Sequence, residues 1–129
     1  MRRLLAGLTA ATFVLAMAAP VFAETVRGQL VDQACYKADP KANTGVNHQM
    51  KSGPVTDCAI ACAKKGSPVA LVTAKGEVYQ VTGDIAAETN KALVGHMSHT
   101  VELTGDVTKE KDGTMKLAVG ATGLKMISR

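Results

Sequence analysis

The stretch of residues 32–66 constrains this chain most, because it holds all three cysteines and lacks any strand pattern. Cys35 stands near its start, while Cys58 and Cys62 stand four residues apart near its end. Turn-forming Gly, Pro, Asn and Asp residues between them predict that residues 33–55 are largely loop. A loop of this length in a small domain is usually functional or held in place by its side chains.

The first 23 residues have the layout of a secretory signal peptide. Two arginines precede an apolar run, and Val21 and Ala23 supply aliphatic and small residues ahead of a cleavage site after Ala23. This pattern predicts a periplasmic or secreted protein that is not a stable membrane protein after cleavage. Removal of residues 1–23 leaves 106 residues, which is enough for one domain.

The composition of the remaining chain limits its core and its partners. It has 13 basic and 11 acidic residues, a net charge of +2, and its only aromatic residues are Tyr36 and Tyr79. The core must therefore be built from Val, Leu, Ile, Met and Ala. Nucleic-acid binding is not expected, because single-strand recognition depends on stacking aromatics and positive charge.

Hydrophobic patterns predict a mainly β fold. Alternating apolar positions indicate five strands, at residues 25–32, 69–73, 78–82, 100–107 and 115–119. Glycines after the last of these predict a bend before an apolar segment at 124–127. Two helices are predicted, one ending near Lys65 with Thr56 or Asp57 as its cap, the other over residues 85–94. A helix between the third and fourth strands is typical of a small five- to six-stranded OB-like barrel with two short helices.

Several motifs follow one another along the chain. They are VRGQLVD followed by Cys35, then His48, Cys58-x3-Cys62, a LVTAKGEVYQV hairpin and a closing VELTG strand. In these motifs the chain resembles a group of small exported bacterial OB-fold-like proteins of uncharacterised function. The resemblance covers most of the chain after residue 23. It implies a fold and no activity. We therefore expect one OB-like domain over residues 24–129, with a Cys/His loop-and-helix insert at about 33–66.

Cys35, His48, Cys58 and Cys62 together suit a metal site. Residues four apart on a helix face the same way, so both helix thiolates can bind one ion. With the other two side chains they complete a Cys3His set, which is typical of structural Zn²⁺ sites. Soft thiolates would equally bind Cu⁺. The spacing C-x12-H-x9-C-x3-C matches no standard zinc ribbon or finger.

Two other interpretations of the cysteines remain open. Exported proteins oxidise their thiols, so Cys35 could form a disulfide with Cys58 or Cys62 and staple a non-catalytic binding module. One thiol would then be left over. A bond between Cys58 and Cys62 is disfavoured, because Cβ atoms four residues apart on a helix lie about 5–6 Å apart and a disulfide requires about 3.5–4.5 Å. The third interpretation is a redox-active thiol, although the chain has no C-x-x-C motif.

Two further sets of side chains bear on metal chemistry. Asp32 lies three residues before Cys35 and Asp57 directly before Cys58, and both could support metal ligands through hydrogen bonds, although Asp57 is better explained as a helix cap. His96, Met97 and His99 form a second possible soft-metal cluster. The alternative for that cluster is structural, with a histidine at a helix C-terminus and Met97 in the core.

Motifs typical of enzymes are missing from the sequence. It has no G-x-S-x-G, H-E-x-x-H or phosphate-binding loop, and no C-x-x-C-H for haem. We therefore expect a non-enzymatic protein with Zn or Cu as its possible cofactor and neither haem nor nucleotide. The sequence does not identify a partner, and the candidates are a periplasmic protein and a metal ion.

Overall fold

Strands dominate the fold, in a computed structural model that describes residues 23–40, 49–50 and 53–128. Along the chain the elements are β1 (Ala23–Asp32), α1 (Gln33–Ala38), β2 (Gln49–Met50), β3 (Gly53–Pro54), α2 (Val55–Lys64), β4 (Val69–Val72), β5 (Val78–Thr82), the 3-10 turn η1 (Asp84–Ala86), α3 (Ala87–Asn90), the 3-10 turn η2 (Val94–His96), β6 (Thr100–Lys109) and β7 (Met115–Ser128). The signal-peptide prediction lies outside the described residues except for Ala23. No helix in the described ranges is long and apolar enough to span a membrane.

Five strands close into a ring in the order β1-β4-β5-β7-β6. Four of the pairs are antiparallel. The fifth, between β5 and β7, is parallel. The mainly β prediction is confirmed, and so are the positions of all five strands to within a few residues, except that the last one continues much further. The short β2–β3 pair lies outside the ring.

The core fills the ring with aliphatic side chains alone, as the composition predicts. Its buried members come from every strand of the ring, from α2 and from the segment between β5 and β6, and they are Val26, Leu30, Ala59, Ala63, Val69, Leu71, Val81, Ile85, Leu93, Met97, Val101, Leu103, Leu117 and Val119. Because Ala59 and Ala63 belong to this cluster, α2 packs over the ring with its small residues inward. Tyr36 and Tyr79 are only half-buried.

The prediction of a long loop at residues 33–55 is wrong for its first part, because α1 forms there. The Asp32 side chain accepts a hydrogen bond from the Cys35 backbone N–H at 2.9 Å and so caps this helix. The α2 prediction is confirmed, but the helix begins at Val55, so neither Thr56 nor Asp57 stands before it. Gly66 follows α2 with φ +85°, the left-handed conformation predicted for a helix terminator.

The second predicted helix, residues 85–94, is confirmed only roughly, because η1, α3 and η2 stand there as three short helical segments and not as one helix. Ile85 and Leu93 are buried as the pattern requires, but the chain between them turns through left-handed φ values at Glu88, Thr89 and Asn90. Each such residue costs roughly 1–2 kcal/mol, least for asparagine. Tertiary contacts of Asn90, described below, hold this turn and override the amphipathic pattern.

The predicted bend in the last strand is confirmed as an irregularity within one long strand. Pairing of β7 with β6 shifts register between Leu103 and Gly105, which face Leu124 and Val119. The chain of β7 therefore bulges over residues 120–123. A side chain at Gly123 would stand 2.7 Å from the Thr104 carbonyl oxygen, so the bulge needs glycine there.

Candidate functional site

Asp32 lies where β1 ends and α1 begins. Val26, Leu30 and Asp32 occupy alternating positions of β1, and the first two lie in the ring core, so the carboxylate is placed on the inner face. It is only 2% exposed. An aspartate at this point caps the helix that carries Cys35, because its side-chain oxygen satisfies a backbone N–H of the first turn.

One oxygen of Asp32 is left without a hydrogen bond. Oδ1 accepts from the Cys35 N–H, whereas Oδ2 is buried and has no hydrogen-bond partner among the described residues. Of the described charged side chains, only Asp32 is buried. A buried carboxylate is stable only when it is paired with a cation or with donors. Asp32 has such a donor at Oδ1 and none at Oδ2 among the described residues.

Cys58 and Cys62 lie on α2, beside the alanines that pack into the core. Both thiols are half-buried. The C-terminal end of α2 is fixed by a pair of bonds, Gly66 N–H to Ala63 O at 2.9 Å and Ser67 N–H to Cys62 O at 3.1 Å. This is the Schellman arrangement of a helix that ends at a left-handed glycine. It sets the position of the two cysteines along the ring.

Asn90 adds a second anchor to the same end of α2. Its side-chain Nδ2 donates to Ala63 O at 3.0 Å and to Ser67 O at 2.9 Å, and the residue is 5% exposed. The left-handed turn at residues 88–90 carries this amide to the end of α2. Sequence reasoning missed Asn90, and the only signal for it was that asparagine tolerates left-handed φ.

The pKa values of two of the three thiols are raised, and Asp32 contributes to both shifts. Burial, a hydrogen bond to Asp32 and its negative charge, followed by the charges of Cys58 and Cys62, raise the pKa of Cys35 to about 12. The pKa of Cys62 is also raised, by burial and then by the charges of Asp32 and Cys58, against the opposing effect of Lys65. Both thiols are therefore protonated near neutral pH unless a cation offsets the local negative charge.

The described side chains are not arranged as the ligands of a metal ion. Cys35, Cys58 and Cys62 are free thiols. Within residues 23–40, 49–50 and 53–128, no three His, Cys, Asp or Glu side chains are arranged to hold a metal ion. Binding would require the thiols to turn toward one point. His48, the fourth ligand predicted from sequence, lies outside the described residues, and the side chain of Asp57 is likewise not described.

The second predicted cluster is organised differently. Met97 is 1% exposed and belongs to the core of the ring, as its structural interpretation predicts. The rings of His96 and His99 are half-buried and meet edge to face, with centroids 6.5 Å apart. Nδ1 of His96 is buried without a hydrogen-bond partner in the described part of the chain. The thioether is thus used for packing.

An open groove of about 640 Å³ lies between α1 and the hairpin that joins β6 to β7. Lys37 lines it on one side and Asp112 on the other, and Lys116 pairs with Glu110 at 3.3 Å beside them. Its charges are mixed, so it does not select for a strongly charged partner.

Comparison with known proteins found no matching family model, no matching curated protein and no matching solved structure. The resemblance to small exported OB-fold-like proteins therefore stays a prediction.

Proposed function

We propose that this chain is an exported, non-enzymatic OB-like protein that binds one transition-metal ion, Zn²⁺ or Cu⁺, through Cys35, Cys58 and Cys62. The observation that supports this proposal is a set of three free, half-buried thiols, of which Cys35 and Cys62 have pKa values raised by burial and by the charges of Asp32 and Cys58. His48 remains the fourth ligand predicted from sequence.

Strand order supports the OB-like part of the proposal. Counting only the strands of the ring, the first pairs with the second and the fourth, and the third pairs with the fifth. The helical segment η1–α3–η2 lies between the third and fourth strands, as in an OB-fold. The cysteine-bearing insert then occupies the connection between the first two strands. Export is supported by the pattern of residues 1–23.

A bound metal would connect α1 and α2, the two helices of the insert, which bury little apolar surface. Cys35 is on α1, whereas Cys58 and Cys62 are on α2, and α2 buries mainly alanines. A bound ion would link both helices to the end of β1. Because thiolates must be deprotonated to bind, the metal affinity would add to folding stability and fall with decreasing pH. The site would serve either to stabilise the insert or to carry metal.

The same three thiols also fit the rival proposal, in which Cys35 forms a disulfide with Cys58 or Cys62 in a binding module. A redox-active thiol is supported less, since reactive cysteines have lowered pKa values and those of Cys35 and Cys62 are raised.

A matched pair of variants on α2 tests the proposal. Cys62→Ser removes one thiolate, whereas Ala61→Ser adds a hydroxyl at the exposed neighbouring position and keeps all three. After incubation of reduced protein with Zn²⁺ and gel filtration, we expect about one Zn per chain in the wild type and in Ala61→Ser. Cys62→Ser should retain much less. Equal zinc in both variants, or none in the wild type with either Zn²⁺ or Cu⁺, would refute metal binding.

A further inference from the structure

One backbone edge of β1 is open over its first part. Residues 23–29 pair with β6, whereas the pairing with β4 covers only residues 29–32. The ring therefore closes through the last part of β1. On the side away from β6, residues 23–28 have no strand partner in the described part of the chain. This is a free sheet edge roughly 20 Å long, at about 3.4 Å per residue.

Two backbone hydrogen bonds show which residues turn toward this edge. Leu30 N–H donates at 3.1 Å to the residue directly before β6, and Gln33 N–H donates at 3.0 Å to the residue directly before β4. Even-numbered residues of β1 therefore direct their backbone groups toward β6 and odd-numbered ones toward β4, because the direction alternates along an antiparallel strand. By this alternation, Thr25 and Arg27 point their N–H and C=O groups at the free edge.

A groove of about 570 Å³ lies along this edge. Arg27 and Gly28 line it from β1, and residues 72–75 line it where β4 leaves the sheet and turns into the hairpin to β5. Proteins that bind peptides by strand addition use such an edge for main-chain hydrogen bonds and the adjoining pockets for alternate side chains of the peptide. The described part of the chain thus offers both the backbone groups and the space for one further strand.

The groove has two cationic side chains and one acidic one. Arg27 and Lys75 are exposed, and neither belongs to an ion pair found among the described residues. Glu77 is already held by Thr73, whose Oγ1 accepts from the Glu77 N–H at 3.1 Å and donates to its carboxylate at 3.4 Å. The charges left over are positive and favour an acidic strand, because opposite charges across paired strands attract. They disfavour a second copy of this chain, because charged edge residues discourage edge-to-edge pairing of identical strands.

We propose that the free edge of β1 binds an extended segment of a partner protein, which adds a strand beside Thr25 and Arg27 and places an acidic side chain across from Arg27. The partner is recognised by its extended backbone and its negative charge. The site involves neither the cysteines nor a metal ion, so its test is independent of the metal-binding proposal.

Three acetylated and amidated heptapeptides serve as probes, each with alternating Thr and Val around a central Glu, Gln or Lys. Amide hydrogen exchange of the exported chain would be followed by NMR with and without each peptide. In the free chain, the Thr25 and Arg27 amides should exchange fast, and those of Val26 and Gly28, which point toward β6, slowly. Saturation with the Gln peptide should slow exchange at Thr25 and Arg27 at least about tenfold, as expected for amides that gain a strand partner. The Glu peptide should bind about 1.5- to 5-fold more tightly than the Gln peptide, the range of a cross-strand charge pair, and the Lys peptide more weakly.

Arg27→Pro and Arg27→Val form a matched pair of variants. Both lose the charge, but only proline removes the N–H that faces the edge, a position at which a sheet tolerates proline. The Gln peptide should bind Arg27→Val as it binds the wild type and should not bind Arg27→Pro. Arg27→Val should also lose most of the preference for the Glu peptide. If Arg27→Pro does not fold, Thr25→Pro replaces it, with Thr25→Val as its control.

Three results would overturn the proposal. Slow exchange of the Thr25 and Arg27 amides in a monomeric free chain would show that the chain itself covers this edge. The same slow exchange in a dimer, detected by analytical ultracentrifugation, would make a second copy the occupant in place of a partner segment. Failure of all three peptides to slow exchange at millimolar concentration, or equal binding by Arg27→Pro and Arg27→Val, would contradict strand addition at this edge.

Discussion

The chain has two groups of side chains that suit soft metals, the three cysteines and the His96–Met97–His99 turn. Both have members beside β1, but they differ in what they bury. The first of the three cysteines, Cys35, lies beside Asp32 at the end of β1, where its N–H donates to the Asp32 carboxylate at 2.9 Å. The His96–Met97–His99 turn is fastened to β1 two residues earlier, where Ser98 N–H donates to Leu30 O at 2.8 Å and Leu30 N–H donates to His99 O at 3.1 Å. Both groups predict soft-metal binding from residue types alone.

What differs is the charge that each group buries. The cysteine site buries a carboxylate with an unused oxygen, whereas the turn buries the apolar side chain of Met97. His96 Nδ1 also has no hydrogen-bond partner among the described residues, but an unpaired polar atom that carries no charge costs only about 1–3 kcal/mol. An unpaired buried charge costs far more. The two groups therefore differ in the kind of side chain that each one buries, a carboxylate in one and a thioether in the other.

Truncation of Met97 should give the largest change in stability. Met97→Ala leaves a cavity in the ring core and should cost about 2–5 kcal/mol, whereas Met97→Leu nearly conserves volume and should cost less than about 1.5 kcal/mol. Urea unfolding measures both. Zinc per chain should equal the wild-type value in Met97→Leu. A well-folded Met97→Leu protein that loses metal would show that the thioether is a ligand and remove the contrast between the two groups.

Loss of the Asn90 amide should weaken the cysteine site through its supporting helix. Asn90→Gly keeps the left-handed backbone but loses both bonds to the end of α2, which should cost about 1–3 kcal/mol. Lys91→Gly is a fitting control, because Lys91 is exposed and its only described ion pair, to Glu88, is at the surface. Hydrogen exchange should show faster opening of α2 in Asn90→Gly. Unchanged protection of α2 would mean that Asn90 does not hold this helix.

Alkaline pH should destabilise the metal-free protein through the cysteine site. The pKa of Cys35 is about 12 in the fold against 9.0 for a free thiol, so between these values the unfolded chain loses its proton first. The stabilising contribution is complete below pH 9 and disappears as pH rises through 12. The melting temperature, measured in chelator and reductant, should fall more steeply above pH 9 for the wild type than for Cys35→Ala. Tyr79, whose pKa is also raised, contributes equally to both. Parallel curves would contradict a raised pKa of Cys35 in the folded protein.

Replacement of His96 should have the smallest effect. His96→Gln keeps a polar side chain in a half-buried position, so stability should change by less than about 1 kcal/mol. The zinc content of the reduced protein should not change. A loss of bound zinc would place a second metal centre at the turn and end the distinction drawn above.

The ring could be predicted from sequence because one face of each strand is buried and the other is not. Leu103 and Val119, for example, lie at alternating apolar positions and are both fully or almost fully buried. Helical structure was harder to predict. The pattern of residues 85–94 satisfied a helix, but the bonds of Asn90 to α2 favoured a left-handed turn that no local pattern encodes.

The sequence predicted the three cysteines of the candidate site, but it did not predict that Asp32 is buried. Cysteine spacing predicted that Cys58 and Cys62 act together, and the charges of both contribute to the raised pKa of Cys35. Asp32 was predicted only as a supporting residue, because sequence does not show which oxygen of a capping carboxylate stays unpaired. His48 lies outside the described residues and keeps its status as a predicted ligand.

The most direct test of the account is the intact mass and metal content of the protein after export, purified without added reductant, chelator or metal. Native mass spectrometry with elemental analysis should find a chain beginning at Glu24 that carries about one zinc ion. After denaturation it should have three alkylatable thiols and the mass of the fully reduced chain. A metal-free chain 2 Da lighter than the reduced form, with one alkylatable thiol, would contradict the metal site and establish the disulfide instead.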